Sequence, residues 1–157
     1  MKGPLFYSKI LLFGEYGIIQ DSKGLSIPYN FYNGALKSDG NTSSEAIKSN
    51  ANLKRFITYL ENLQLEQPEL VTFDLATLNQ DVAAGMYFDS SIPQGYGVGS
   101  SGALVAAIYD KYAQNKITVL ENLTREKLLQ LKTIFGQMES FFHGKSSGLD
   151  PLNSYLS

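Results

Sequence analysis

Apolar residues along the chain fall into short blocks of two different periods, separated by polar and glycine-rich stretches. Ile10-Leu11-Leu12-Phe13 is a compact apolar run closed by Gly14-Glu15-Tyr16-Gly17, which predicts a buried strand ending in a turn. Between Leu25 and Leu36, alternating and aromatic positions (Ile27, Tyr29, Phe31, Tyr32) predict one or two further strands. A polar loop, Ser38-Asp39-Gly40-Asn41-Thr42-Ser43, comes next. Leu53, Phe56, Ile57, Leu60 and Leu63 then recur at helical spacing, so a helix is predicted from Ser43 or Ser44 to Gln67-Pro68. Val71 to Leu75 and Gly85 to Asp89 read as two strands that pair antiparallel, and a helix is expected from about Gly99 to Gln114. Ile117 to Leu120 is ambiguous. Thr124 caps a last helix whose apolar face is Leu128, Leu131, Ile134, Phe135, Met138 and Phe142, and Gly144 stops it. Strands come first and helices are interspersed, with no repeat, low-complexity stretch or internal linker. The expected fold class is α+β, a mixed sheet covered by helices.

Composition narrows the function more than the fold. The chain has 157 residues, 43% hydrophobic and 18% charged, enough for one domain with a core of its own. The net charge is −2 and there is no basic block, so nothing recruits nucleic acid or an anionic membrane surface. There is no cysteine, which excludes disulfides and thiolate metal sites. No apolar run approaches the roughly 18 residues of a membrane span. The first nine residues lack the long apolar core of a signal peptide. Asn41-Thr42-Ser43 and Asn122-Leu123-Thr124 match the glycosylation pattern by chance in such a chain, and a cytoplasmic location is expected.

The chemistry concentrates in Pro93-Gln94-Gly95-Tyr96-Gly97-Val98-Gly99-Ser100-Ser101-Gly102, which runs into the apolar helix Ala103-Leu104-Val105-Ala106-Ala107-Ile108. Glycines let backbone N–H groups approach an anion, and the helix N-terminus adds partial positive charge. The two serines can cap the helix, or offer a hydroxyl to a metal ion. A Walker loop would need a lysine after the last glycine, and none is present. Gly97 to Gly102 does fit GxGxxG, with Ile117 to Glu121 available as the following strand and acidic end. Pro93-Gln94-Gly95 intervenes before the first glycine, which suits a central parallel strand poorly. A dinucleotide-binding domain therefore stays as an alternative.

Two further segments bear on this loop: Lys9-Ile10-Leu11-Leu12-Phe13-Gly14-Glu15-Tyr16-Gly17, and Glu139-Ser140-Phe141-Phe142-His143-Gly144-Lys145-Ser146-Ser147-Gly148-Leu149-Asp150. With the loop, they resemble the GHMP small-molecule kinases, most closely the mevalonate kinase branch. That family carries a Lys-apolar-Phe-Gly-Glu-His opening, a Pro-x3-Gly-Leu-Gly-Ser-Ser-Ala loop, and Glu-x3-His-Gly-x2-Ser-Gly-x-Asp. The three motifs occur here in the same order and span most of the chain.

The resemblance implies a ribosomal-protein-S5-domain-2-like N-terminal domain and an ATP- and Mg²⁺-dependent phosphorylation of a small-molecule alcohol, mevalonate or a relative. Gly95, Gly97, Val98, Gly99, Ser100, Ser101 and Gly102 would form the ATP phosphate cradle. Ser101 and Glu139 would be the Mg²⁺ ligands. Asp150 would be the general base on the substrate hydroxyl, with Lys9 beside it, a pairing that keeps a carboxylate ionised. Each residue has a plainer alternative. Glu139 would be a solvated helix glutamate, Asp150 a turn or helix-cap residue, and Lys9 an exposed strand-edge charge. His143, the single histidine, lies one helical turn after Glu139. One His and one Glu are too few for zinc, so it reads as a structural helix-end residue.

The departures from the family pattern are Tyr16 in place of His, Val98 in place of Leu, Gly102 in place of Ala, and Ser146 in place of Pro. Members of the family are about twice as long. Residues 1–157 thus read as the N-terminal ATP-binding domain, without the C-terminal domain that closes over the nucleotide. A non-catalytic binding or interaction domain is the alternative from another class. The face that would meet a C-terminal domain is expected to be apolar and to favour a homo-oligomer.

Overall fold

The computed structural model describes residues 6–13, 25–91, 100–118, 124–144 and 146–156, with side chains described for 34–91, 101–118, 124–144 and 146–156. The first two apolar blocks are strands, β1 (Phe6–Phe13) and β2 (Leu25–Lys37), paired antiparallel. One long strand thus occupies the region where one or two were expected. β1 takes up the first part of β2, and β4 (Tyr87–Ser90) pairs with its far end, from Gly34 opposite Ser90 to Lys37 opposite Tyr87. The sheet order is β1-β2-β4.

Helix α1 (Ser44–Glu66) follows the predicted boundaries. Ser43 caps it by accepting from the Ala46 N–H, and Gln67 ends it before Pro68. The residues Leu53, Phe56, Ile57, Leu60 and Leu63 are all buried.

The segment after α1 departs from the sequence pattern. Only Thr72–Phe73 is extended, as β3, and its partner is β5 (Ala113–Gln114), not the Gly85–Asp89 segment. Asp74 is the reason. Its carboxylate accepts from the Thr77 N–H and hydroxyl, at 3.2 and 2.7 Å, and turns the chain into helix α2 (Leu75–Ala83). The apolar residues of that stretch, Leu78 and Val82, then lie four apart on one buried face. Every strand pair among the described residues is antiparallel, where a mixed sheet was expected. The strands are short or consecutive, and antiparallel partners need no long crossover.

Helix α3 (Ser100–Tyr112) is buried on nearly all sides from Ala103 to Tyr109, as a central helix should be. It ends before Ala113, two residues sooner than the apolar pattern suggests, because Ala113–Gln114 pairs with β3. Helix α4 (Arg125–His143) is capped by Thr124 and stopped at Gly144, whose φ is +71°. Its Leu131, Ile134, Phe135 and Met138 are buried, while Leu128, in the first turn, is half-buried.

α4 is not the last helix, since α5 (Leu149–Leu156) follows Gly148. Pro151 stands in its first turn, where a missing N–H costs no helical bond. Tyr109, Phe135 and Tyr155 bind α3, α4 and α5 together through edge-on ring contacts of 5.0–5.5 Å. The ambiguous Ile117 lies in this corner. It donates its N–H to the Tyr109 hydroxyl and accepts from the Tyr155 hydroxyl.

Phe135 is fully buried at that three-helix junction and Leu65 is 80% exposed. Phe135→Ala is expected to cost about 3–5 kcal/mol of unfolding free energy, and Leu65→Ala to stay within about 0.5 kcal/mol. Urea titration of both variants checks the contrast; comparable midpoints would contradict this packing.

Candidate functional site

Three helix ends converge. Ser101 lies in the first turn of α3, Glu139 in the last turns of α4, His143 at α4's final residue, and Asp150 in the first turn of α5. Glu139 is 3% exposed, so it is a buried carboxylate and not a solvated helix residue.

A buried carboxylate needs donors, and Glu139 has them on both oxygens. The Ser101 hydroxyl donates to Oε2 at 3.0 Å. The Ser146 hydroxyl donates to Oε1. His143 Nε2 lies 2.8 Å from Ser101 Oγ. With the single Ser101 proton given to Glu139, Nε2 is the donor in that contact. The three groups form a chain: His143 N–H to Ser101 O–H to the Glu139 carboxylate.

Asp150 joins the group through backbone packing. A Cβ built on Gly102 would sit 2.8 Å from Asp150 Cβ and 2.9 Å from the Pro151 nitrogen. The N-terminal turns of α3 and α5 are therefore in direct contact, and this approach has no room for a side chain at residue 102. The alanine of the family pattern would force the two helix ends apart.

Electrostatics follow from this crowding. Burial pushes the Glu139 carboxyl above the ordinary glutamate value of 4.5, and the charge of Asp150 pushes the same way. The Ser146 and Ser101 hydroxyls and His143 pull it back.

Outside this cluster, a cleft of about 950 Å³ opens beside Ser101 and His143. Its walls are the outer face of α1, with Lys48, Asn52 and Arg55, and the strand residues Tyr87 to Ser90. That volume suits a ligand of nucleotide size.

The structure thus brings Ser101, Gly102, Glu139 and Asp150 together. Gly95, Gly97, Val98 and Gly99 lie outside the described residues, as do Tyr16 and the Ser100 side chain. Lys9 lies on β1, opposite Pro28 of β2, and β1 packs against both α3 and α5; its side chain is outside the described set. Two residues of the cluster were missed from the sequence. His143, read as a helix-end residue, holds the Ser101 hydroxyl. In the sequence pattern Ser146 is only a departure, with no role of its own. The Glu-x3-His spacing signalled the first, since residues four apart share a helix face. No spacing rule signals the second.

Among the described residues, no group of three or more His, Cys, Asp or Glu side chains is placed to hold a metal alone. The Ser101–Glu139 pair offers two hard oxygens on a buried anion. This donor set fits a Mg²⁺ ion that takes its other ligands from phosphate and water.

Residues 69–156 match the family model described as GHMP kinases N terminal domain, which is more than half of the chain. The match covers α2 to α5 and the whole Ser101–Glu139–Asp150 cluster. Neither curated proteins nor solved structures yield a match.

The raised Glu139 carboxyl sets a pH dependence. Between 4.5 and its higher folded-state value the folded chain binds more protons than the unfolded one, so stability falls as pH rises through that window. Glu139→Gln removes this slope and keeps the shape. In metal-free buffer it should melt at or above the wild-type temperature at neutral pH, with the gap closing toward pH 4.5. Thermal melts across that range check it; a variant less stable at neutral pH than at pH 4.5, relative to wild type, would reverse the sign.

Proposed function

The chain belongs to the GHMP kinases, through their N-terminal domain, and from that premise we propose that it carries the N-terminal half of a small-molecule kinase site. The reaction is transfer of a phosphoryl group from ATP, with Mg²⁺, to the hydroxyl of a small alcohol, mevalonate or a relative. The proposed fold is the ribosomal-protein-S5-like domain of that family. The observation that carries the reading is the cluster itself: a helix-initiating hydroxyl, Ser101, on a buried carboxylate, Glu139, with a second carboxylate, Asp150, packed onto the next residue of the same helix.

Phosphoryl transfer asks a protein for positioning and charge neutralisation more than for covalent chemistry. The α3 N-terminus directs partial positive charge toward the ATP phosphates. Gly95 to Gly102 supply backbone N–H groups to them. Ser101 and Glu139 would hold a Mg²⁺ ion, which would supply charge neutralisation at the phosphates. Asp150 accepts the proton of the substrate hydroxyl. Lys9, carried on the strand that packs against α3 and α5, is the proposed cationic neighbour of Asp150. The cleft along α1 receives the rest of the nucleotide.

ADP release, measured on the chain alone and joined to a GHMP C-terminal domain, tests the proposal over mevalonate, phosphomevalonate, homoserine and free sugars. Asp150→Asn should lower kcat by roughly 10²–10⁴ with ATP affinity nearly unchanged. Ser101→Ala should weaken Mg²⁺-ATP binding and turnover together, since it acts through the metal. No turnover with any acceptor in the joined protein would favour a non-catalytic binding domain. Near-normal turnover by Asp150→Asn would remove the base from the mechanism.

A further inference from the structure

Ser146 sits in the short loop between α4 and α5 and has no role in the chemistry so far. Its hydroxyl makes two contacts. It donates to Glu139 Oε1, and it accepts the Gly148 N–H at 3.1 Å. The loop is pressed onto α4 at the same point. A Cβ on Gly136 would lie 3.0 Å from the Ser146 carbonyl oxygen, and one on Gly148, whose φ is +78°, would lie 2.1 Å from the Lys132 carbonyl oxygen. Ser146 is thus hydrogen-bonded at once to the buried carboxylate and to the backbone two residues before Asp150.

We propose that Ser146 is a positioning residue of this site: its hydroxyl straps the α4–α5 loop to Glu139 Oε1, so that Oε2 is the oxygen presented to Ser101 and to a bound cation. The proposal rests on the kinase reading for the identity of that cation. The physical need is clear from the side chain. A glutamate has three rotatable bonds, and with Ser101 as its one hydrogen-bonded neighbour its carboxylate could turn either oxygen outward. A donor on Oε1 removes that freedom, as outer-shell partners do for metal-binding carboxylates in general. Where the family pattern has proline, a ring stiffens the loop but offers no hydroxyl, so the strap belongs to this chain.

Three substitutions separate the hydroxyl from the bulk it brings: Ser146→Ala, Ser146→Thr and Ser146→Val. The probe is ATP with Mn²⁺, titrated by calorimetry against the full chain, with ATP in EDTA as the metal-free arm. Ser146→Ala should weaken the Mn²⁺-dependent binding by about 10–100-fold and leave the metal-free arm unchanged. Ser146→Thr should return it to within a few-fold of wild type. Hydrogen exchange at the Gly148 amide should speed up in Ser146→Ala and Ser146→Val but not in Ser146→Thr. The Thr and Val variants are isosteric, so their difference decides the matter even where Ser146→Ala melts early. Wild-type affinity in Ser146→Ala, or equal affinity in Thr and Val, overturns the strap while the kinase reading stands. No Mn²⁺-dependent ATP binding by the wild-type chain overturns the kinase reading, and the proposal with it.

Discussion

One buried charge organises this end of the molecule. Glu139 is almost fully removed from water, and an unpaired carboxylate there would cost several kcal/mol. It is tolerated because separate elements aim donors at it: Ser101 from the first turn of α3 and Ser146 from the loop before α5, with His143 backing Ser101 from the end of α4 itself. A hydrogen bond to a charged group contributes about 1.5–3 kcal/mol. Satisfying Glu139 therefore restrains α3, α4 and the loop relative to one another. The candidate site residues are placed by the same contacts that make the charge bearable.

The apolar core sets the frame in which this works. Tyr109, Phe135 and Tyr155 lock α3, α4 and α5 side by side at their buried faces. Close backbone approach does the rest at the polar end. Gly102 admits Asp150, and Gly148 adopts a left-handed conformation against the Lys132 carbonyl, which a residue with a Cβ could not occupy. Aromatic packing at one end and glycine contacts at the other leave the α4–α5 loop little freedom. That is what a site built on helix termini requires, since a shift of an ångström there would separate Ser101 from Glu139.

Much of this was legible in the sequence, for identifiable reasons. The helical spacing from Leu53 to Leu63 and the caps Ser43 and Thr124 fixed α1 and the start of α4, because their apolar stripes are long and their caps are local signals. Val71 to Leu75 misled because a short apolar run has no period of its own. The decisive residue was Asp74, whose side chain captures the Thr77 N–H and starts a helix where a strand was expected. Among the described residues every strand pair is antiparallel, where a mixed sheet is expected, and β3 pairs with Ala113–Gln114 because strand partners are set by which distant segment arrives. At the candidate site, the spacing pattern singles out Ser101, Glu139 and Asp150, and the structure places these three together. It does not single out Ser146, whose role depends on a loop folding back along α4 and on no spacing at all.

The arrangement also links stability to binding. Glu139 and Asp150 repel each other, and burial adds to the cost of ionising Glu139. Without a cation that cost is met by the hydroxyls and His143 alone. A divalent ion at the Ser101–Glu139 pair would reverse the balance, because the field that disfavours two carboxylates favours a positive charge between them. The electrostatic disadvantage carried by the metal-free chain is then recovered as binding free energy, and any ion that binds the folded state alone stabilises the fold by mass action. A neutral core at residue 139 would give a firmer domain, and that firmness would remove the incentive to take up the ion. A buried carboxylate, held by donors and crowded by a second one, is therefore a less stable arrangement than a neutral core, and one that a bound cation would stabilise.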